Sequence, residues 1–174
     1  IRRQPLQVVT VRELVERFGE GVREELPSLV ARQELEADVV QLHDQVYEYV
    51  GIPHKRKSVQ HRAIQRLIEQ YALQHGLRAE VEVQLAEGVV TDVLVEVPER
   101  GRFAVEVVTP KLRRSAIASA QRVFNAARVP CAAVVVRRPR RTPPVYHLTD
   151  FISFLSSFDD AERLLNILRA YYGQ

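Results

Sequence analysis

The spacing of apolar positions changes character several times along the chain. Thr10 followed three residues later by Glu13 has the form of a capping box, and Val11, Leu14, Val15 and Phe18 recur at helical spacing up to Gly19. A short helix is predicted there. From Pro27-Ser28 onward, Leu29, Val30, Leu35, Val39, Leu42 and Val46 make an apolar stripe that predicts a second helix, ending before Gly51-Ile52-Pro53. His54-Lys55-Arg56-Lys57 then forms a basic linker. Ser58 or a neighbour caps a third helix, in which Ile64, Leu67, Ile68 and Tyr71 share a face and Gly76 is the stop.

Beyond Gly76 the period shortens to two. Ala79, Val81, Val83 and Leu85 alternate with Arg78, Glu80, Glu82 and Gln84, the pattern of a half-buried strand. Glu87-Gly88 is a turn, Val89 to Val97 a second strand, and Glu99-Arg100-Gly101-Arg102 a hairpin turn into a buried strand from Phe103 to Val108. Pro110 ends that run, and an alanine-rich stretch from Arg113 to Arg128 predicts a helix. A very apolar strand follows from Cys131 to Val136. A helix crossing between two buried strands implies that this strand runs parallel to one in the hairpin sheet. After the loop Arg137-Arg138-Pro139-Arg140-Arg141 come a short strand near Val145-Tyr146-His147 and two helical segments, one from Asp150 and one capped by Asp159 and Glu162. The organisation expected is a helical arm and basic linker over 1–57, an α/β core over 58–149, and helices over 150–174 that pack on the core.

Charge changes this picture more than composition does. Residues 1–50 carry 6 basic and 10 acidic residues, residues 51–141 carry 17 and 8, and residues 142–174 carry 2 and 4. A basic middle between acidic flanks suits a polyanion-binding surface, and equally suits a solvated charged face. No apolar run approaches the roughly 20 residues of a membrane helix, so no membrane association is expected. Cys131 is the only cysteine, which excludes an internal disulfide and points to a reducing, cytoplasmic setting. Its apolar run marks it as a core residue rather than a catalytic thiol. The chain opens at Ile1 and holds no methionine, as a piece of a longer polypeptide would, and an upstream domain or partner protein is then expected to share the function.

The chemistry expected centres on two carboxylates. Asp92 opens the apolar run Val93-Leu94-Val95, and Glu106 interrupts another, so each stands in a strand otherwise suited to burial. A buried carboxylate is costly unless it is paired, hydrogen-bonded or bound to metal. Adjacent antiparallel strands joined by a short turn can bring the two together on one face. Glu96 shares that face by period two, but stands near the turn at Pro98 and is expected in solvent.

The stretches His61-Arg62-Ala63-Ile64-Gln65, Gly88-Val89-Val90-Thr91-Asp92-Val93 and Glu106-Val107-Val108-Thr109, in this order, resemble motifs of the PD-(D/E)xK, restriction-endonuclease-like superfamily. The resemblance covers about half the chain and implies an α-β-β-β-α-β core with a mixed sheet, flanked here by N- and C-terminal helices. It implies Asp92 and Glu106 as ligands of Mg²⁺ or Mn²⁺, with Gln65, Glu69 and His61 as auxiliary groups on the leading helix. The motif lysine belongs two residues after the glutamate, where this chain has Val108; Lys111, five residues past Glu106, is the candidate replacement. Phosphate contacts are expected from Lys55, Arg56 and Lys57, from Arg113 and Arg114 at a helix N-terminus, and from Arg137, Arg138, Arg140 and Arg141. The implied activity is divalent-metal-dependent binding and hydrolysis of DNA. Two other expectations stand beside it: a nuclease fold that binds nucleic acid without cutting it, and an interaction or dimerisation module working through the helical flanks.

Overall fold

The computed structural model describes residues 5–42, 45–74, 76–99, 101–108, 122–129, 131–135 and 145–147. The chain is a mixed α/β protein, with two four-stranded sheets among the described residues, and it divides into two compact units. Among the described residues no helix is long and apolar enough to cross a membrane.

The first unit runs to Arg66 and includes the strand at 145–147. Strand β1 (Val8–Thr10) passes directly into helix α1 (Val11–Phe18), and α2 (Gly21–Ala31) follows. The capping box forms as expected. The Thr10 hydroxyl accepts the Glu13 N–H at 3.1 Å, and the Glu13 carboxylate accepts the Thr10 N–H at 2.8 Å. Glu13 also pairs with Arg66 of helix α3 (Val59–Gln74), whose guanidinium donates to the Val8 carbonyl as well. One helix start is thereby tied to another element.

The predicted second helix is corrected. Helix α2 starts earlier, at Gly21, carries Pro27 inside it and ends at Ala31. The stretch read as its continuation is a hairpin of β2 (Glu36–Leu42) and β3 (Gln45–Gly51). The 1–57 region is therefore not a helical arm but an α/β unit with sheet order β1-β3-β2-β8, where β8 is Val145–His147. The apolar stripe counted at helical spacing also fits strands, and Val39-Val40 and Val46-Tyr47 to Tyr49-Val50 carry the β-branched and aromatic residues that favour a pleated surface. Strand β8 is likewise corrected: it pairs parallel with β2, Val39 to Val145, and so belongs to the first unit rather than to a 58–149 core.

Arg62 of α3 is 2% exposed and closes this unit. Its guanidinium donates to the carbonyls of Leu6 at 2.9 Å and Ile52 at 2.7 Å, satisfying backbone acceptors where β1 and β3 end. Gly51 sits in the same corner, and a Cβ there would lie 3.0 Å from the Gln7 carbonyl oxygen and 3.1 Å from Val59, so only glycine fits without displacement.

The second unit begins at Leu67. Its sheet has the order β4-β5-β6-β7, with β4 (Arg78–Ala86), β5 (Val89–Val97) and β6 (Gly101–Val108) antiparallel in sequence and β7 (Cys131–Val135) parallel to β6. The predicted parallel fourth strand is present. A turn follows β5 at Pro98-Glu99, and β6 starts at Gly101, two residues before the expected Phe103. Residues 122–127 are helical, inside the predicted 113–128 helix; its earlier part and the segments predicted helical over 150–174 lie outside the described residues. One sheet face, with Leu94, Ala104 and Cys131, packs against Val123 and Val129, while Val93, Val95, Phe103 and Val105 of the other face are wholly buried.

Tyr49 of β3 is 1% exposed, and its hydroxyl is buried without a hydrogen-bond partner among the described residues. Burial pushes that hydroxyl's pKa up, with Glu13 adding to the shift and Arg66 opposing it. An unsatisfied buried hydroxyl costs about 1–3 kcal/mol, whereas a phenyl ring of the same shape keeps the packing. Tyr49→Phe is expected to raise stability by about 1 kcal/mol in urea unfolding; a loss of stability would show that the hydroxyl is satisfied in solution.

Candidate functional site

Strands β5 and β6 pair regularly from Val97 opposite Gly101 to Val93 opposite Val105. The next pair in register is Asp92 and Glu106, and there the ladder stops. Side chains take over the hydrogen bonding across the gap. The Asp92 carboxylate accepts the Val107 N–H at 2.9 Å, and the Glu106 carboxylate accepts the Asp92 N–H at 3.3 Å. The Thr91 hydroxyl donates to the same Glu106 oxygen at 2.9 Å. Each carboxylate thus bonds to the strand that bears the other.

The irregularity extends to the far side of β5. Strand β4 pairs Val81 with Val93 and Val83 with Thr91, and the intervening Glu82, opposite Asp92, takes φ 55. A non-glycine residue with that backbone is strained by about 1 kcal/mol or more and persists where its surroundings impose it. Asp92 therefore stands between two irregular points of the sheet, the Glu82 backbone on β4 and the end of the β5–β6 register. Interrupted ladders of this kind re-aim side chains at sheet positions that regular pairing would bury.

Asp92 and Glu106 are each 8% exposed, yet both carry polar partners, which answers the cost that their strand positions raised. Cys131, opposite Ala104 on β7, lies close enough to feel them. Burial first, then the negative charge of Glu106 and of Asp92, pushes its thiol pKa well above the ordinary value. It is a buried core thiol, as its sequence context indicated.

The other expected site residues divide by location. Gln65 is fully buried on α3, while His61 and Glu69 are half-buried there. The His61 N–H donates to the Ser58 hydroxyl at 3.2 Å, so Ser58 caps α3 as predicted. Gln65 and His61 fall in the first unit and Glu69 in the second, with Asp92 and Glu106. Lys55 and Arg56 are exposed and Lys57 half-buried, on a turn in which the His54 Nδ1 accepts the N–H groups of Arg56 at 3.2 Å and Lys57 at 3.1 Å. Glu96 is exposed, as its place near the turn suggested. Lys111, Arg113, Arg114, Arg137, Arg138, Arg140 and Arg141 lie outside the described residues. Among the described residues, no group of three or more His, Cys, Asp or Glu side chains is placed to hold a metal ion together.

Thr91 is the participant that sequence reasoning missed. The available signal was a hydroxyl inside the run Val89-Val90-Thr91, where full burial demands a partner. We found no match to this chain among protein-family models, curated proteins or solved structures.

Two outcomes are expected. Asp92→Asn keeps an acceptor for the Val107 N–H and removes one of two neighbouring negative charges, so its stability without divalent cations should equal or exceed that of the unaltered chain. Asp92→Leu strands that N–H and should cost about 1–3 kcal/mol; equal losses in both variants would contradict the exchange described. Separately, the folded thiol of Cys131 stays protonated where the unfolded thiol ionises. The folded state then binds more protons, so stability should fall as pH rises above about 9. Cys131→Ala should flatten that fall in denaturant titrations at pH 8 and pH 10, and an unchanged slope would count against it.

Proposed function

We propose that this chain is a nuclease-fold domain that binds DNA and holds Mg²⁺ or Mn²⁺ against Asp92 and Glu106, with phosphodiester hydrolysis as the activity of that site. The observation that carries the reading is the pair of nearly buried carboxylates on β5 and β6 that each bond to the strand bearing the other. Hard oxygen donors suit these cations, and Mg²⁺ typically takes one or two protein carboxylates and completes its shell with water and substrate phosphate. Asp92 and Glu106 would supply two such carboxylates.

Bound there, the cation would neutralise phosphate charge and acidify a water. The chain's own residues do the positioning. Thr91 and the Asp92 N–H fix the Glu106 oxygen, and the Val107 N–H fixes that of Asp92. The basic balance of residues 51–141, 17 against 8, supplies the polyanion attraction, with Lys55, Arg56, Lys57, Arg113, Arg114 and the arginines of 137–141 as proposed contacts. Support for the restriction-endonuclease-like core is the order helix, three antiparallel strands, helical residues and a parallel strand. Gln65, Glu69 and His61 are auxiliary groups in this reading, Lys111 takes the role of the missing motif lysine, and a homodimer or an upstream partner remains part of the proposal.

One observation favours a second reading, in which binding persists without hydrolysis. The residue two after Glu106 is Val108, paired with Val135 inside the sheet, and a valine supplies no ammonium to orient water or stabilise the transition state.

The decisive experiment incubates the full chain with supercoiled DNA and Mg²⁺ or Mn²⁺, beside Asp92→Asn and Glu106→Gln. The proposal predicts nicking that both substitutions lower by about 100-fold or more, together with DNA affinity that falls as salt rises. Salt-sensitive binding with no cleavage under either metal selects the second reading. Absence of binding at low salt removes both.

A further inference from the structure

We infer that Thr91 sets the cation selectivity of the proposed metal site, favouring Mg²⁺ and Mn²⁺ over Ca²⁺ by confining Glu106 to one ligating oxygen. This role rests on the reading of Asp92 and Glu106 as cation ligands, and it adds a residue outside that pair. Thr91 lies on β5 and is 0% exposed. Its hydroxyl has Glu106 Oε1 in reach at 2.9 Å and the carbonyls of Val93 and Val105 each at 3.4 Å. A hydroxyl has one hydrogen to give, and the nearest acceptor, which is also the charged one, takes it.

The same Glu106 oxygen accepts the Asp92 N–H at 3.3 Å. A carboxylate oxygen carries two lone pairs, so two donors occupy Oε1. Bidentate ligation by Glu106 needs that oxygen and requires one donor to be given up. Asp92 is held in a related way through Oδ2, by the Val107 N–H at 2.9 Å. Each acid therefore has one oxygen bound into the sheet. The two backbone donors come with any residue other than proline at those positions, whereas the hydroxyl comes from Thr91.

Divalent cations differ in the ligands they require. Ca²⁺ gathers about 6–8 oxygens in a flexible shell, often with bidentate carboxylates, whereas Mg²⁺ demands a near-ideal octahedron and combines one or two carboxylates with water. Acids fixed through one oxygen each, by buried donors, suit the stricter cation and handicap the other. Hydrogen bonds to a ligand from the residues behind it typically carry ~10–100-fold in metal affinity. A cation that demands strict geometry loses more when its ligand loosens.

The experiment displaces bound Mn²⁺, followed by water-proton relaxation, from the full chain with Mg²⁺ and separately with Ca²⁺, without DNA. Thr91→Val keeps the shape and lacks the donor, while Thr91→Ser keeps the donor. From the unaltered chain, Mg²⁺ should displace Mn²⁺ at about tenfold lower concentration than Ca²⁺ does. Thr91→Val should narrow that ratio about tenfold, through weaker Mg²⁺ binding and undiminished Ca²⁺ binding, and Thr91→Ser should retain most of it. Equal losses for both cations in Thr91→Val would make the hydroxyl a merely structural group and overturn the inference. So would a serine variant as unselective as the valine one, or Ca²⁺ displacing Mn²⁺ from the unaltered chain as readily as Mg²⁺; this last ratio decides alone if Thr91→Val does not fold. All of these leave the metal site standing. No Mn²⁺ bound by the unaltered chain would instead remove the site and the role of Thr91 together.

Discussion

At the centre of the second unit, side-chain carboxylates do the hydrogen bonding that strand backbones do elsewhere. Where Asp92 would pair with Glu106, the ladder ends and each acid bonds across to the opposite strand. This exchange lets two anionic groups sit 8% exposed in a sheet without stranded polar atoms. It also sets their orientation, because an oxygen held by a backbone N–H cannot swing freely. The Thr91 hydroxyl fixes Glu106 further, and Glu82, at the same level on β4, has a strained backbone with φ 55.

The first unit solves a different problem by related means. Its strands and helices are short, and buried arginines join them. Arg62 collects the carbonyls of Leu6 and Ile52, while Arg66 collects that of Val8 and pairs with Glu13. A guanidinium has five N–H donors in a fixed fork, which suits a corner where several chain ends converge. These two cations are therefore committed to the fold.

Much of this was legible in the residues. The capping box at Thr10 and Glu13, the start of α3 near Ser58, the strict alternation of Arg78 to Leu85 and the parallel strand after a helix all follow from local spacing, and each appears in the structure. The β2–β3 hairpin was not legible as helical periodicity. Short apolar runs satisfy both templates, and only the β-branched and aromatic content of Val39-Val40 and Tyr47 to Val50 separates them. That Asp92 and Glu106 could share a face was an expectation from adjacent antiparallel strands; their place opposite each other depends on β6 starting at Gly101, two residues earlier than the sequence suggested. The reciprocal bonds to Val107 and Asp92 were not legible, because a break in a ladder depends on backbone geometry three strands wide, including the positive φ of Glu82.

The central claim is that this pair of acids grips one divalent cation, and direct titration with Mn²⁺ in the absence of DNA tests it most simply. Calorimetry or the loss of the free Mn²⁺ resonance should show one site per chain, abolished or weakened about tenfold or more by Asp92→Asn and by Glu106→Gln in proteins that remain folded. Undiminished Mn²⁺ affinity in both variants, or no binding by the unaltered chain at millimolar metal, would contradict the account and leave the carboxylates as a purely structural clasp between two strands.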